Sequence, residues 1–285
     1  MNILEDLKLQ YKMGGIVQRL IFWNIGVFVL SIIFFFSFGT RNFSYPEWLG
    51  LYSFSDQLIT KPWTLISYMF LHASFLHLLF NMLVLHFSGR LFLTYFTGRQ
   101  LFGVYVLGGI FAGIVFIASY YLLGIHSVLV GASGAIMAIL IATATYAPYM
   151  LLRIPLIGTV KLWQVAFVIV LLDLIQLPMN NGGGHLAHLG GAFFGFLYVK
   201  LLNNGTDLSK GISKLQDIVE GIILPSKKTP FKKVHKNKNQ NTTFTNASKD
   251  INQKKIDDIL DKISKSGYDS LSKEEKEFLF KAGNK

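Results

Sequence analysis

QLFGVYVLGGIFAGIVFIASYYLLGIHSVLVGASGAIMAILIATATYAPYMLL, residues 100–152, runs for 53 positions between Arg99 and Arg153 without an Asp, Glu, Lys or Arg. A helix that spans a bilayer needs about 20 largely apolar residues. The stretch is therefore long enough for two spans, read as 101–123 and 132–149 with a short turn, GIHSVLVG, between them. Toward the N-terminus, 71–89 reads as another span, closed by Arg90. Before it, 20–38 is free of charge and follows the basic residues Lys8, Lys12 and Arg19. No small-residue cleavage site accompanies 20–38, so it is expected to stay in the membrane rather than act as a removable leader. Toward the C-terminus, 162–177 stops before Pro178, and 184–202 carries Lys200 at its edge. The expected fold class is all-α, a polytopic membrane bundle of six transmembrane helices.

The totals agree. The chain is 52% hydrophobic and 15% charged, with a mean hydropathy of +0.44, whereas soluble domains carry about 25% charged residues. Charge is also segregated: residues 1–203 hold 10 Lys/Arg and 5 Asp/Glu, and the last 82 residues hold 17 and 11. Four regions follow: a cytoplasmic N-terminus at 1–15, the six-span body at 16–203, an amphipathic helix with a flexible lysine-rich linker at 204–250, and a small helical module at 251–285. Basic residues near span ends mark the cytoplasmic side. The N-terminus, the Arg90/Arg99 turn, the Arg153/Lys161 turn and the tail fall together, opposite loops bearing only Arg41 and Lys61. Both termini are expected in the cytoplasm, and any site near the other ends should open outward.

The net charge of +11 is read as affinity for anionic lipid rather than nucleic acid, because the excess lysine flanks spans or lies in a tail without aromatic interleaving. There is no cysteine, which excludes disulfides, thiolate catalysis and Cys-zinc sites. The outer loop at 39–70 is rich in aromatics, including Tyr45, Trp48, Tyr52 and Trp63, and is read as partly embedded at the interface, with shaping access to a site as the sharper alternative.

Polar residues in the spans share one depth. The second carries His72, His77 and Asn81, the fourth begins with Ser133, and the sixth carries His185 and His188. At about 1.5 Å per residue, His77, Ser133 and His188 all fall within roughly 10 Å of the outer boundary. Each has a structural explanation by itself. Ser133 lies among Gly131, Ala132, Gly134 and Ala135, and Ala187, Gly191 and Gly195 make a smooth face, as close helix packing requires. His188 could serve as an interhelical hydrogen bonder, and His77 with Asn81, on one helical face, could brace a neighbour. His72 points elsewhere and is read as a wet interface residue. Taken together they supply a nucleophile, a base and oxyanion donors.

Other chemistries lack their residues. Asp173 is the only carboxylate inside a span, so a paired-aspartate protease is excluded, and no HExxH is present. The imidazoles of His185 and His188 could bind a metal, but no third strong ligand is evident; neither metal nor cofactor is expected. Asp173 could orient a histidine, yet the preferred reading leaves a Ser–His dyad, with Asp173 bonding a neighbouring helix or loop.

The ordered set HASFLHLLFN (72–81), GASG (131–134) and AHLGGAFFG (187–195) resembles the rhomboid intramembrane serine proteases, over about residues 15–203 in the six-span bacterial form. The resemblance implies Ser133 as nucleophile and His188 as base, in a bacterial inner membrane. It implies His77 and Asn81 at the oxyanion, Gly131, Ala132 and His72 nearby in substrate binding, and Gly134, Met137, Gly191 and Gly195 as supports. It also implies cofactor-free cleavage of membrane-anchored proteins that enter laterally. Two departures stand out: Trp63-Thr64 where the outer loop often has Trp-Arg, and Met137 where some members stack an aromatic ring on the histidine. The alternative is a non-catalytic rhomboid-like protein that binds transmembrane clients. In the tail, 210–223 places Ile212, Leu215, Ile218, Val219, Ile222 and Ile223 near one helical face, a surface-lying amphipathic helix. Residues 251–285 read as two helices around Ser266-Gly267, with Ser272 and Glu275 as a capping box, an element for docking an unidentified partner.

Overall fold

The computed structural model describes residues 2–53, 55–155, 158–179, 181–223 and 246–283. An N-terminal helix α1 (Ile3–Met13) is capped by Asn2 and leads through Gly14–Gly15 into α2 (Ile16–Phe35). The first span thus begins and ends a few residues earlier than hydropathy alone places it. The chain turns at Phe36, where β1 (Phe36–Ser37) pairs with β2 (Asn42–Phe43). Then come β3 (Leu51–Tyr52) and the short helices α3 (Ser55–Thr60) and α4 (Thr64–Ser67). The remaining elements of the membrane body are α5 (Phe75–Phe92), α6 (Gly98–Leu123), β4 (Val128–Leu129), α7 (Ser133–Tyr146), β5 (Leu151–Ile154), β6 (Gly158–Lys161), α8 (Leu162–Gln176) and α9 (Gly182–Asn203).

Helices α2, α5, α6 and α9 are long and apolar enough to cross a membrane. At 14 and 15 residues, α7 and α8 are only about 21–22 Å long, less than the roughly 30 Å hydrocarbon thickness. Helix α7 can be short because other helices surround it: it packs on α5, α6, α8 and α9, and its residues from Gly134 to Leu140 are buried. Non-helical backbone at such depth is tolerated only where protein covers it or water reaches it.

Lipid is as apolar as leucine, so these helices gain little by hiding apolar surface from it and must pack closely instead. Small residues make that possible. A Cβ on Gly191 would land on the Gly134 carbonyl oxygen, and one on Gly195 would strike the Ala138 carbonyl oxygen. On the other side of α7, a Cβ on Gly108 would collide with that of Ala138. The contact of α7 with α9 is therefore backbone against backbone, and that with α6 sets the Gly108 backbone against the Ala138 methyl group. Tyr68 reaches across to α6, donating to the Gly109 carbonyl at 2.7 Å, and Asn24 back-bonds within α2 to the Leu20 carbonyl at 2.8 Å.

The outer loop is tied to the segment before α7. Strands β3 and β4 pair antiparallel, Leu51 opposite Leu129 and Tyr52 opposite Val128. The Ser53 hydroxyl donates to the Ile125 carbonyl at 2.9 Å and accepts from the Ser127 N–H at 3.0 Å. The position where Arg was missing is braced differently: Lys61 pairs with Glu47 at 3.1 Å, Trp63 donates to the Trp48 carbonyl at 2.9 Å, and Thr64 donates to the Lys61 carbonyl at 2.8 Å. Trp48 and Trp63 are themselves exposed, as interface anchors are.

Beyond α9, helix α10 (Ser209–Ile223) packs along α6. Ser209 sits against Gly103, Ile212 joins the edge of the core, and Leu215 and Ile218 stay exposed. Asp207 anchors the junction, accepting from the Ser209 hydroxyl and N–H, from Gln100 and from Tyr198. Partial burial pushes its carboxyl up, but these hydrogen bonds outweigh it and hold the group below the usual carboxylate value. The lysine-rich linker expected at 226–245 lies outside the described residues.

A separate unit follows, with α11 (Asn246–Ser266), a turn at Tyr268–Ser270, and α12 (Lys273–Gly283). Ser272 Oγ accepts from the Glu275 N–H at 3.2 Å while the Glu275 carboxylate accepts from the Ser272 N–H at 2.8 Å. Lys262 reaches the same carboxylate at 2.9 Å, and Ile259 and Leu271 are the buried apolar residues.

Candidate functional site

A cavity of about 1100 Å³ lies among α5, α7, α8, α9 and the outer loop. His77 and Asn81 of α5, Ser133 and Met137 of α7, Asp173 of α8, and His185 and His188 of α9 all line it. Helices α5 and α8, which form two of its walls, hardly touch each other. Apolar residues on the two facing sides, Phe80 and Val84 on α5 and Ile169 and Leu172 on α8, border this gap.

Ser133 is the first residue of α7. Its N–H has no partner within the helix, and the residue lines the cavity. The preceding residue pair sets this position. Gly131 has φ +132°, strained for any side chain, and a Cβ there would also meet the His77 ring at 2.8 Å. The His77 imidazole thus lies directly over the backbone that leads into Ser133. Its Nδ1 accepts the Ala73 N–H at 3.3 Å. A neutral ring that accepts at Nδ1 carries its proton at Nε2, so His77 offers the cavity a donor. Asn81 uses its amide to back-bond the His77 carbonyl at 2.8 Å and keeps a second N–H.

On the opposite wall one carboxylate oxygen serves two imidazoles. Asp173 Oδ1 is 2.8 Å from His188 Nδ1 and 2.7 Å from His185 Nδ1. Both rings donate to it, which leaves each Nε2 as an acceptor. Asp173 is nearly buried, with 7% of its side chain exposed, against 13% for His185 and 24% for His188. Among the described residues no hydrogen bond joins Ser133 Oγ to His188; such bonds are often long before substrate binds.

These contacts correct the sequence reading of Asp173. It does bond a neighbouring helix, but its partner there is His188 itself, so it is not separate from the Ser133–His188 pair. It also supplies the third ligand-type group that HLAH lacked: Asp173, His185 and His188 are a trio that could hold a metal. Tetrahedral zinc sites, with bonds of about 2.0–2.2 Å, keep their ligand atoms roughly 3.3 Å apart. The 2.7 and 2.8 Å separations are those of hydrogen bonds.

Other expected members are placed differently. His72 is fully buried rather than wet, with its ring 5.2 Å from that of His77 and edge-on to Phe28. Among the described residues neither of its nitrogens meets hydrogen-bond geometry, and it is not among the cavity-lining side chains. Gly131 gives its N–H to the Tyr68 carbonyl at 3.0 Å, which removes it as an oxyanion donor; its part is to leave room for His77. Ala132 is fully buried, its carbonyl accepting from Ile136. Gly134, Gly191 and Gly195 lie at the α7–α9 contact behind the cavity. The outer loop, for which shaping a site was the sharper of two readings, contributes Asn42, Phe43, Ser44, Tyr45 and Tyr52 to the cavity wall. Tyr45 donates to the His72 carbonyl at 2.8 Å. The dense aromatics of that loop were the available signal.

The family model for the rhomboid domain matches residues 60–204, from the outer loop through α9. The chain belongs to the rhomboid family. A curated rhomboid relative, the Danio rerio presenilin-associated rhomboid-like protein A, mitochondrial, is 31% identical over 133 residues. That alignment takes in 46% of this chain and spans only 35% of the relative's length. Residues 244–281, which include α11 and most of α12, match a family of unknown function, DUF6576. In this rhomboid protein, the matched segment contains every cavity residue named above except those from the start of the outer loop.

Proposed function

We propose that this rhomboid protein is an intramembrane serine endopeptidase that cuts membrane-anchored proteins in or near a transmembrane segment. The observation that carries this reading is the Nδ1 contact of His188 with Asp173, in the cavity that also receives Ser133. It leaves His188 Nε2 bearing a lone pair, the form a general base needs.

In this reading His188 Nε2 takes the Ser133 hydroxyl proton as Oγ bonds to the scissile carbonyl carbon. The carbonyl electrons move to oxygen, where His77 Nε2–H, the free Asn81 N–H and the Ser133 N–H surround the developing charge. Collapse breaks the C–N bond, and His188 returns its proton to the leaving amine. Water in the cavity then attacks the acyl-enzyme, His188 again shuttling the proton, and Ser133 is restored.

The gap between α5 and α8 is the proposed entrance for substrate from lipid. A substrate helix must unwind there, exposing backbone groups that cost several kcal/mol each in hydrocarbon; the polar cavity offers them partners. Segments with unstable helices are the expected substrates. Both termini are placed in the cytoplasm of a bacterial cell membrane, the cavity opening outward, and α11–α12 as a docking element for a partner.

The test is a fluorophosphonate probe with the purified protein. Labelling is expected for the wild type and absent in Ser133→Ala and His188→Ala. Undiminished labelling of Ser133→Ala overturns the assignment, and absence of labelling in the wild type favours a client-binding role.

A further inference from the structure

Resting on the Ser133–His188 reading, we propose that Asp173 is a positioning residue for His188, and that His185 is the second arm that holds Asp173 in place. A side chain acting through a histidine must fix which nitrogen carries the proton, fix the direction of the ring, and favour the charged ring that forms during reaction. Asp173 does the first by accepting from His188 Nδ1 at 2.8 Å. It does the second because its helix, α8, packs on α9, so the carboxylate approaches the ring from outside the α7–α9 contact. It does the third through its negative charge, held in a nearly buried position.

His185 completes the device. A carboxylate on a short helix, facing α9 across a water-accessible cavity, could otherwise turn toward water. Its Oδ1 is held instead by a second N–H, from His185 at 2.7 Å. His185 and His188 are three residues apart on α9, hence on one helical face, and their rings meet edge to face at 5.8 Å. The two imidazoles grip one oxygen from the same side, and Asp173 cannot rotate without breaking both bonds.

Purified Asp173→Asn, Asp173→Glu, His185→Gln and Ser133→Ala proteins are compared with wild type, using a transmembrane reporter substrate and [15N]histidine NMR spectra, with His188 assigned by difference from His188→Gln. Replacing the equivalent carboxylate in a serine protease lowers kcat by about 10⁴; for this more exposed site Asp173→Asn is expected to lower kcat by about 10² or more. KM should change by no more than about threefold, and the Nδ1–H signal of His188 should be lost or shared with Nε2. Asp173→Glu should recover part of kcat, and His185→Gln should fall between the two. Wild-type kcat in folded Asp173→Asn overturns the proposal. So does a loss of kcat accompanied by an unchanged His188 spectrum, since that marks a merely structural effect. The spectra report the tautomer without turnover: should Ser133→Ala remain active, the protease reading fails while the role of Asp173 toward His188 is still judged.

Discussion

The two flanks of α7 and its cavity are built on opposite principles. Toward α9 the backbone of α7 touches its neighbour directly, with Gly191 against the Gly134 carbonyl, and toward α6 only a methyl group intervenes, with Gly108 against the Ala138 side chain. Across the cavity, α5 and α8 face each other with large apolar side chains and barely meet. The first flank fixes the distance between the helices that carry Ser133 and His188. The second leaves a slot. The proposed peptidase, which has to hold two reacting groups still while admitting a bulky chain from lipid, needs both, and they cannot be the same surface.

The contrast can be broken hardest on the sealed side. Gly191→Val forces a side chain into the Gly134 carbonyl, and core overpacking of this kind costs about 1–3 kcal/mol, more where backbone is struck. We expect the upper end or beyond, read as a lower SDS-denaturation midpoint together with loss of probe labelling. An unchanged midpoint would mean the helices can part without penalty.

The open side is tested by closing it. The chain has no cysteine, so Val84→Cys with Ile169→Cys gives a clean pair for bifunctional thiol reagents across the slot. The bridged protein is expected to lose at least tenfold in cleavage of a transmembrane substrate while its labelling by a small phosphonate changes less than about threefold. Equal loss of both would place the entrance elsewhere.

A smaller effect is expected behind His77. His72 is buried, and among the described residues neither ring nitrogen meets hydrogen-bond geometry; a buried polar group without a partner costs about 1–3 kcal/mol. His72→Phe keeps the packing with Phe28 and should raise stability by up to about 1 kcal/mol, measured by the same denaturation midpoint. A clear loss of stability would show that the ring is hydrogen-bonded in the membrane.

The smallest effect concerns the end of the sealed side where Asp207 gathers α6, α9 and α10. Its carboxyl is depressed in the folded protein, so the charged form contributes stability that is present above the unfolded value of about 3.9 and lost as pH falls through the folded value. Thermal midpoints taken between pH 6 and pH 3 should fall more steeply for wild type than for Asp207→Asn. Parallel curves would show that the junction gains nothing from the charge.

Much of this architecture was legible because it is written in one dimension. Charge-free length gives spans, and counting residues from span ends gives depth, which is how Ser133, His77 and His188 were grouped. Depth does not give direction around a helix axis. Asp173 was known to lie at a compatible level, but whether α8 turns it toward α9, toward lipid or toward a loop depends on packing that periodicity in an almost uniformly apolar helix does not encode. The same gap explains His72, whose short distance from the boundary suggested water but whose position under Tyr45 and beside Phe28 shuts water out. The outer loop stayed open between two readings because aromatic residues suit both an interface and a cavity wall, and only the β3–β4 pairing separates the two.

That pairing also has a consequence for how the molecule is made. Leu51–Tyr52 and Val128–Leu129 leave the ribosome more than seventy positions apart, and until the later pair arrives, the earlier one presents an unmatched strand edge. The loop that carries the first pair and the segment that leads into Ser133 are thus finished in a single event.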